Sequence, residues 1–131
     1  MKSRFLIVDD DAAFCELLSL YFSAKGFEVI AVRTALEATA LLEQGEFDLM
    51  ILDWYLDGID ALDLLNFCKS RYPELPVIIF TGAEVEAFLK AALAGRAEAV
   101  VRKIGSLDAL SKQVCKYVGK RELEASARNL P

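Results

Sequence analysis

Two textures alternate along the chain. Short apolar runs break off at a polar or acidic residue, and the stretches between them carry apolar residues at helical spacing. Arg4-Phe5-Leu6-Ile7-Val8 is the first run and stops at Asp9-Asp10-Asp11. Phe27 to Val32 is the second. The third, Phe47-Asp48-Leu49-Met50-Ile51-Leu52-Asp53, lacks the alternation of a half-exposed strand and reads as a central parallel strand buried on both faces. Val77-Ile78-Ile79-Phe80, ending in Thr81-Gly82, and Ala99-Val100-Val101-Arg102, ending at Lys103, complete the set.

Helices are expected between these runs. Phe14, Leu17, Leu18 and Tyr21 form an amphipathic stripe, with Asp11 as N-cap and Lys25-Gly26 as the stop. Thr34 and Glu37 have the spacing of a capping box, opening a helix that closes at Gln44-Gly45. A loop from Trp54 to Gly58 leads into a third helix over 59–71, broken by Tyr72-Pro73-Glu74-Leu75-Pro76. A fourth helix is predicted over 85–93, followed by Gly95. The last starts at Ser106 and Asp108, with apolar positions Leu107, Leu110, Val114, Tyr117 and Val118. Five βα units in succession imply an α/β fold, a parallel sheet with helices on both faces. The expected domain is 1–119, with 120–131 a C-terminal helix extension or linker.

Composition narrows the function. With 131 residues, 55% of them hydrophobic, the chain suits one domain with a substantial core. No apolar run is long enough to span a membrane, and the N-terminus lacks the pattern of a signal peptide, so a cytoplasmic location is expected. A net charge of −5 argues against direct nucleic-acid binding. Cys15, Cys68 and Cys115 make no metal or disulfide pattern and are expected as reduced thiols in or near the core. Histidine is absent, which excludes His-based acid–base chemistry and His metal ligands.

The polar residues at the run ends carry the chemistry. Asp9 and Asp10 follow strand one, Asp53 ends strand three, Thr81 strand four and Lys103 strand five. Open α/β sheets bind ligands at this carboxyl edge, where a strand order of 2-1-3-4-5 makes these strands neighbours. Carboxylates that close repel by a few kcal/mol at an effective dielectric of about 20 and need cations. Lys103 supplies one charge. Hard oxygen donors without His or Cys suit Mg²⁺, with Mn²⁺ as substitute, and Mg²⁺ held by few protein ligands commonly partners phosphate. Asp53 is then a candidate acid nucleophile forming an aspartyl-phosphate, with Lys103 and the Thr81 hydroxyl against the phosphoryl oxygens.

Phe5-Leu6-Ile7-Val8-Asp9-Asp10-Asp11, the Asp53 strand, Thr81-Gly82 and Lys103 together resemble the receiver domain of two-component response regulators, of the chemotaxis-regulator type. The likeness spans about 4–119, with 43 positions from Asp10 to Asp53, 28 on to Thr81 and 22 on to Lys103. It implies a doubly wound (βα)5 flavodoxin-like fold of order 2-1-3-4-5. It also implies Asp53 as phosphoacceptor and Asp9 and Asp10 as the Mg²⁺-positioning pair, Asp10 the more direct ligand. The Tyr55 backbone carbonyl is the third protein contact to the metal. Thr81 is the switch hydroxyl, Lys103 the phosphate-pairing lysine and Gly82 the small residue beside the phosphate. The donor is a histidine kinase or phosphotransfer protein. The output is a partner protein or output domain, or a homodimer through the fourth helix, fifth strand and fifth helix. No membrane partner is implied, and no enzyme beyond action on its own phospho-aspartate.

Some positions depart from the family pattern. Ile104 stands where proline commonly follows the lysine, and Val100 where the switch aromatic usually lies. Asp57, Ala61 and Arg96 stand where proline, glycine and glycine are frequent. Phosphorylation chemistry is therefore expected to be intact and signal transmission atypical, with Tyr55 and Ala83 tuning phosphate lifetime. A degenerate receiver acting as a phosphorylation-independent interaction module is the alternative. A Mg²⁺-dependent aspartyl phosphatase is more remote, because such enzymes want an acid two residues after the nucleophile and Tyr55 stands there.

Overall fold

The computed structural model describes residues 2–56, 61–82, 97–103 and 107–119. In chain order these contain β1 (Arg4–Val8), α1 (Ala12–Ala24), β2 (Glu28–Val32), α2 (Ala35–Gln44), β3 (Leu49–Leu52), α3 (Ala61–Arg71), β4 (Val77–Thr81) and β5 (Ala99–Arg102). The C-terminal helix is α-helical over Asp108–Val114 and continues as a π-helical turn over Cys115–Gly119. The strands form one parallel sheet in the order β2-β1-β3-β4-β5, as the doubly wound fold requires. The predicted fourth helix (85–93), Asp57, Ala83, Arg96, Ile104 and the 120–131 extension lie outside the described residues.

Alternate residues of each strand face opposite layers, so the sheet has two cores. Leu6, Val8, Met50, Leu52, Val77 and Ile79 pack under α2 and α3, against Ala38, Leu42, Leu64, Leu65 and Cys68. Phe5, Ile7, Leu49, Ile51, Ile78, Phe80 and Val101 pack under α1 and the C-terminal helix, against Leu18, Phe22, Leu110, Val114 and Val118. All four residues of β3 are buried, which is why that run shows no alternation. At the amino end of the sheet Phe5 stacks on Phe27 at 4.5 Å and meets Phe22 edge-on at 5.5 Å.

The helix ends follow their local chemistry. The Asp11 carboxylate accepts from the N–H groups of Ala13 and Phe14, and Gly26, at φ 94°, turns the chain after α1 in a conformation that suits glycine. Thr34 Oγ1 accepts from the Glu37 N–H at 3.1 Å and donates to the Glu37 carboxylate at 3.0 Å. Lys69 is buried at the end of α3. Its ammonium donates to the Leu75 carbonyl and to the Glu98 carboxylate, whose other oxygen accepts from the Val77 N–H. This clamp fixes the α3–β4 connection against the start of β5.

Several expectations are corrected. β3 begins at Leu49, not Phe47, because the Asp48 carboxylate accepts from the Arg4 N–H and the Arg4 guanidinium lies over the Phe47 ring. β2 begins at Glu28, while β4 runs one residue further, through Thr81. The buried face of α1 is Cys15, Leu18 and Phe22; Leu17 is 46% exposed, one residue (about 100°) round the helix from Leu18. Cys15 and Cys68 are buried, but Cys115 is exposed, on the outer side of the C-terminal helix. The N-cap of that helix is Leu107, with no side-chain cap hydrogen bond.

Candidate functional site

Three main-chain hydrogen bonds assemble the site. Just past each strand end, the N–H of a polar residue donates to a carbonyl of the neighbouring strand. Asp9 donates to Val32 (3.1 Å), Asp53 to Val8 (2.8 Å) and Lys103 to Thr81 (2.7 Å). The parallel ladder therefore runs one residue beyond the apolar runs and lines up their polar successors along one edge. This explains why the carboxyl ends of β1, β3, β4 and β5 deliver their side chains to one place.

Carboxylate oxygens of Asp9, Asp10 and Asp53 lie within 4.8 Å of one another. Asp9 and Asp53 are buried, while Asp10 is half-buried. Both oxygens of Asp9 are engaged: Oδ1 accepts from the Asp11 N–H at 2.9 Å and Oδ2 accepts from Lys103 Nζ at 2.6 Å. Lys103 Nζ is 3.7 Å from Asp53 Oδ2, so its ammonium is shared unequally and favours Asp9. Arg33 donates through Nε and Nη2 to the Asp10 carbonyl, anchoring the acidic loop to the end of β2.

Burial pushes the Asp53 carboxyl up to about 6, and the Asp9 carboxylate adds to the shift. Lys103 and a hydrogen bond from the Tyr55 backbone N–H pull the other way and do not win; Asp10 adds a smaller push. The Cys15 thiol is raised by burial and by Asp9, and its Sγ donates to the Asp9 carbonyl at 3.1 Å. That thiol is a packed, protonated neighbour of the site.

Every site residue expected from the sequence lies on this edge. Asp9, Asp10, Asp53 and Lys103 are in direct electrostatic contact, and Thr81 is fully buried at the end of β4, bonded through its carbonyl to Lys103. Tyr55 reaches Asp53 through its main chain while its ring is largely exposed. A Cβ built on Gly82 meets nothing within 4 Å, so steric room does not demand glycine there. Sequence reading missed Phe14, Arg33 and the Asp11 N–H. Phe14 lies under the Lys103 ammonium, with Nζ 4.3 Å from the ring centroid. Its only sequence signal is its place in the first turn of α1, three residues after Asp11.

Three carboxylates against one ammonium suit a hard divalent cation, and an oxygen-only donor set without His or Cys matches Mg²⁺ or Mn²⁺. Fold and site together define a class: a doubly wound α/β domain of the flavodoxin type with an acidic cluster and a lysine at its carboxyl edge. The family model for the response regulator receiver domain matches residues 5–115. The chain belongs to that family.

Among curated relatives, the response regulator protein FleR of Pseudomonas aeruginosa is 35% identical over 103 residues, covering 78% of this chain and 22% of that protein. The phosphate regulon transcriptional regulatory protein PhoB of Rhizobium meliloti is 33% identical over 117 residues, covering 87% of this chain and 51% of that protein. The chain thus spans about a fifth to a half of the length of these two relatives. A CheY-like receiver domain protein of Methanospirillum hungatei superposes with a TM-score of 0.86 at 27% identity, covering 95% of this chain and 99% of that one. The response regulator protein TrrA of Thermotoga maritima, crystallised with Mg²⁺ and BeF, superposes at 0.81 with 28% identity, covering 90% and 100%.

Proposed function

We propose that the domain is a phosphoacceptor switch in which Asp53 takes a phosphoryl group from a histidine kinase or phosphotransfer protein. The observation that carries this reading is the convergence of the Asp9, Asp10 and Asp53 oxygens within 4.8 Å beside the Lys103 ammonium. An Asp53 carboxylate oxygen attacks phosphorus. The bond from phosphorus to the donor breaks, and the donor leaves with the electron pair. Lys103 Nζ, 3.7 Å from Asp53 Oδ2, turns part of its charge from Asp9 to the incoming phosphoryl oxygens. Thr81, buried at the next strand end, offers its hydroxyl to another of them.

Asp9, Asp10, Asp53 and the Tyr55 carbonyl would hold Mg²⁺, Asp10 most directly. Bound there, the ion would neutralise the cluster and the phosphoryl oxygens. The Mg²⁺–BeF complex of the TrrA protein, 28% identical, supports the assignment. Holding the ionised Asp53 carboxylate buried beside Asp9 is electrostatically unfavourable, and phosphorylation and metal binding redistribute that energy, which biases a two-state domain. The readers of that change are an output domain or partner protein in the cytoplasm, or a second copy docking through the β5 side of the domain. Output regions fit with relatives two to five times the length of this chain's match.

Incubation with acetyl phosphate and Mg²⁺, read by intact mass, tests the proposal. One phosphoryl group is expected on the native chain and none on Asp53→Asn. A native chain that takes no phosphoryl group overturns it in favour of a phosphorylation-independent interaction module.

A further inference from the structure

Phe14 takes part in no expectation drawn from the family likeness, yet it touches the centre of the site. Its ring centroid is 4.3 Å from Lys103 Nζ, and its edge meets Phe80, the residue before Thr81, at 6.1 Å and 82°. Its own position is fixed by the acidic loop. The Phe14 N–H donates to Asp11 Oδ1, and the Asp11 N–H donates to Asp9 Oδ1, while Asp9 Oδ2 accepts from Lys103. Asp9, Asp11, Phe14 and Lys103 therefore form a closed circuit of contacts across the start of α1 and the end of β5.

From this circuit we propose that Phe14 is a positioning residue that holds the Lys103 ammonium over the acidic cluster, ready to move from Asp9 toward a phosphoryl oxygen on Asp53. The proposal rests on Asp53 being the phosphoacceptor only for its kinetic part. An aromatic face attracts an ammonium through its quadrupole and consumes none of its three N–H donors, so Asp9 and the phosphoryl group can both be served. The Lys103 side chain is 11% exposed, and the ring takes the place of water on its α1 side. An aliphatic side chain of similar size fills that space without holding the charge.

The test compares the native chain with Phe14→Leu and Phe14→Tyr. Initial phosphorylation rates with acetyl phosphate at saturating Mg²⁺ are read from the fluorescence of Trp54, the single tryptophan, next to Asp53. Phe14→Leu is expected to be slower by about three- to ten-fold, with Phe14→Tyr near native. Mg²⁺ affinity is expected to stay within about two-fold in both, since the carboxylates are untouched. In NMR spectra recorded without donor, the Lys103 ε-methylene protons are expected upfield of ordinary lysine through the ring current, and back at the ordinary position in Phe14→Leu. Native rates in Phe14→Leu, or Phe14→Tyr as slow as Phe14→Leu, overturn the proposal. So does unshifted Lys103 in the native chain, a result that needs no folded variant. A ten-fold loss of Mg²⁺ affinity in Phe14→Leu also overturns it, because Phe14 would then support the whole loop. If the native chain accepts no phosphoryl group, the Asp53 reading fails, and the Lys103 proton shift alone decides the contact.

Discussion

Asp53→Asn should make the metal-free domain more stable. Asp53 is 6% exposed, and its carboxyl is pushed from an ordinary 3.8 up to about 6. A raised carboxyl pKa in the folded state means that the folded chain holds its proton more tightly than the unfolded chain. The ionised group therefore opposes folding. The penalty is complete above about pH 7, shrinks as pH falls through 6, and is gone below about pH 3, where both states are protonated. The rise from 3.8 to about 6 corresponds to about 3 kcal/mol, which serves as a ceiling. Asparagine keeps the shape without the charge, so a gain of about 1–3 kcal/mol is expected at pH 7.5. Urea melts in EDTA, followed by Trp54 fluorescence and by circular dichroism, measure it. Mg²⁺ should close the gap by stabilising the native chain selectively, by about 2.7 kcal/mol at a hundred times its dissociation constant. A native chain as stable as Asp53→Asn in EDTA at pH 7.5 would refute the reasoning. So would a stability gain that persists unchanged at pH 4.

The other predictions concern single contacts. Asp9→Asn removes a carboxylate from the cluster and loosens Lys103, held at 2.6 Å, so Mg²⁺ affinity should fall at least about ten-fold in a Trp54 fluorescence titration. Lys69→Ala strips the partner from the Glu98 carboxylate and the Leu75 carbonyl, and urea melts should show a loss of about 2–4 kcal/mol. A change below about 1 kcal/mol would mean that this clamp is not a stabilising element. Thr34→Ala removes the N-cap of α2 and should cost about 1 kcal/mol, visible as a lower urea midpoint at unchanged slope.

Val100 bears on how any change at Asp53 spreads. It is partly buried against the α2–α3 core and pairs in register with Ile79, so β5 presents an aliphatic side chain at the position where the family likeness led to the expectation of an aromatic ring. The aromatic contacts nearest Lys103 lie instead on the other face of the sheet, from Phe14 to Phe80.

Much of this fold was written in the order of residue types. Short apolar runs without alternation, separated by helical patterns, fit a parallel sheet covered on both faces, and each run stopped where a polar residue meets the edge. That logic located Asp9, Asp10, Asp53, Thr81 and Lys103 and named a divalent ion as the missing charge. Strand boundaries were less legible at Phe47-Asp48, where the Asp48 carboxylate takes the Arg4 main-chain N–H in competition with the ladder. The exposure of Leu17 and Cys115 depends on which side of a helix meets the sheet, and apolar character alone does not decide that.

Tertiary structure alone decided how charge is apportioned. Sequence spacing put one lysine near three carboxylates; the fold gave its ammonium to Asp9 at 2.6 Å and left Asp53 at 3.7 Å, buried and raised to about 6. It also brought Phe14 beneath that ammonium, across 89 positions of chain. Such terms vary with ångström-scale distance and with exclusion of water, and both arise only when separate strand ends meet.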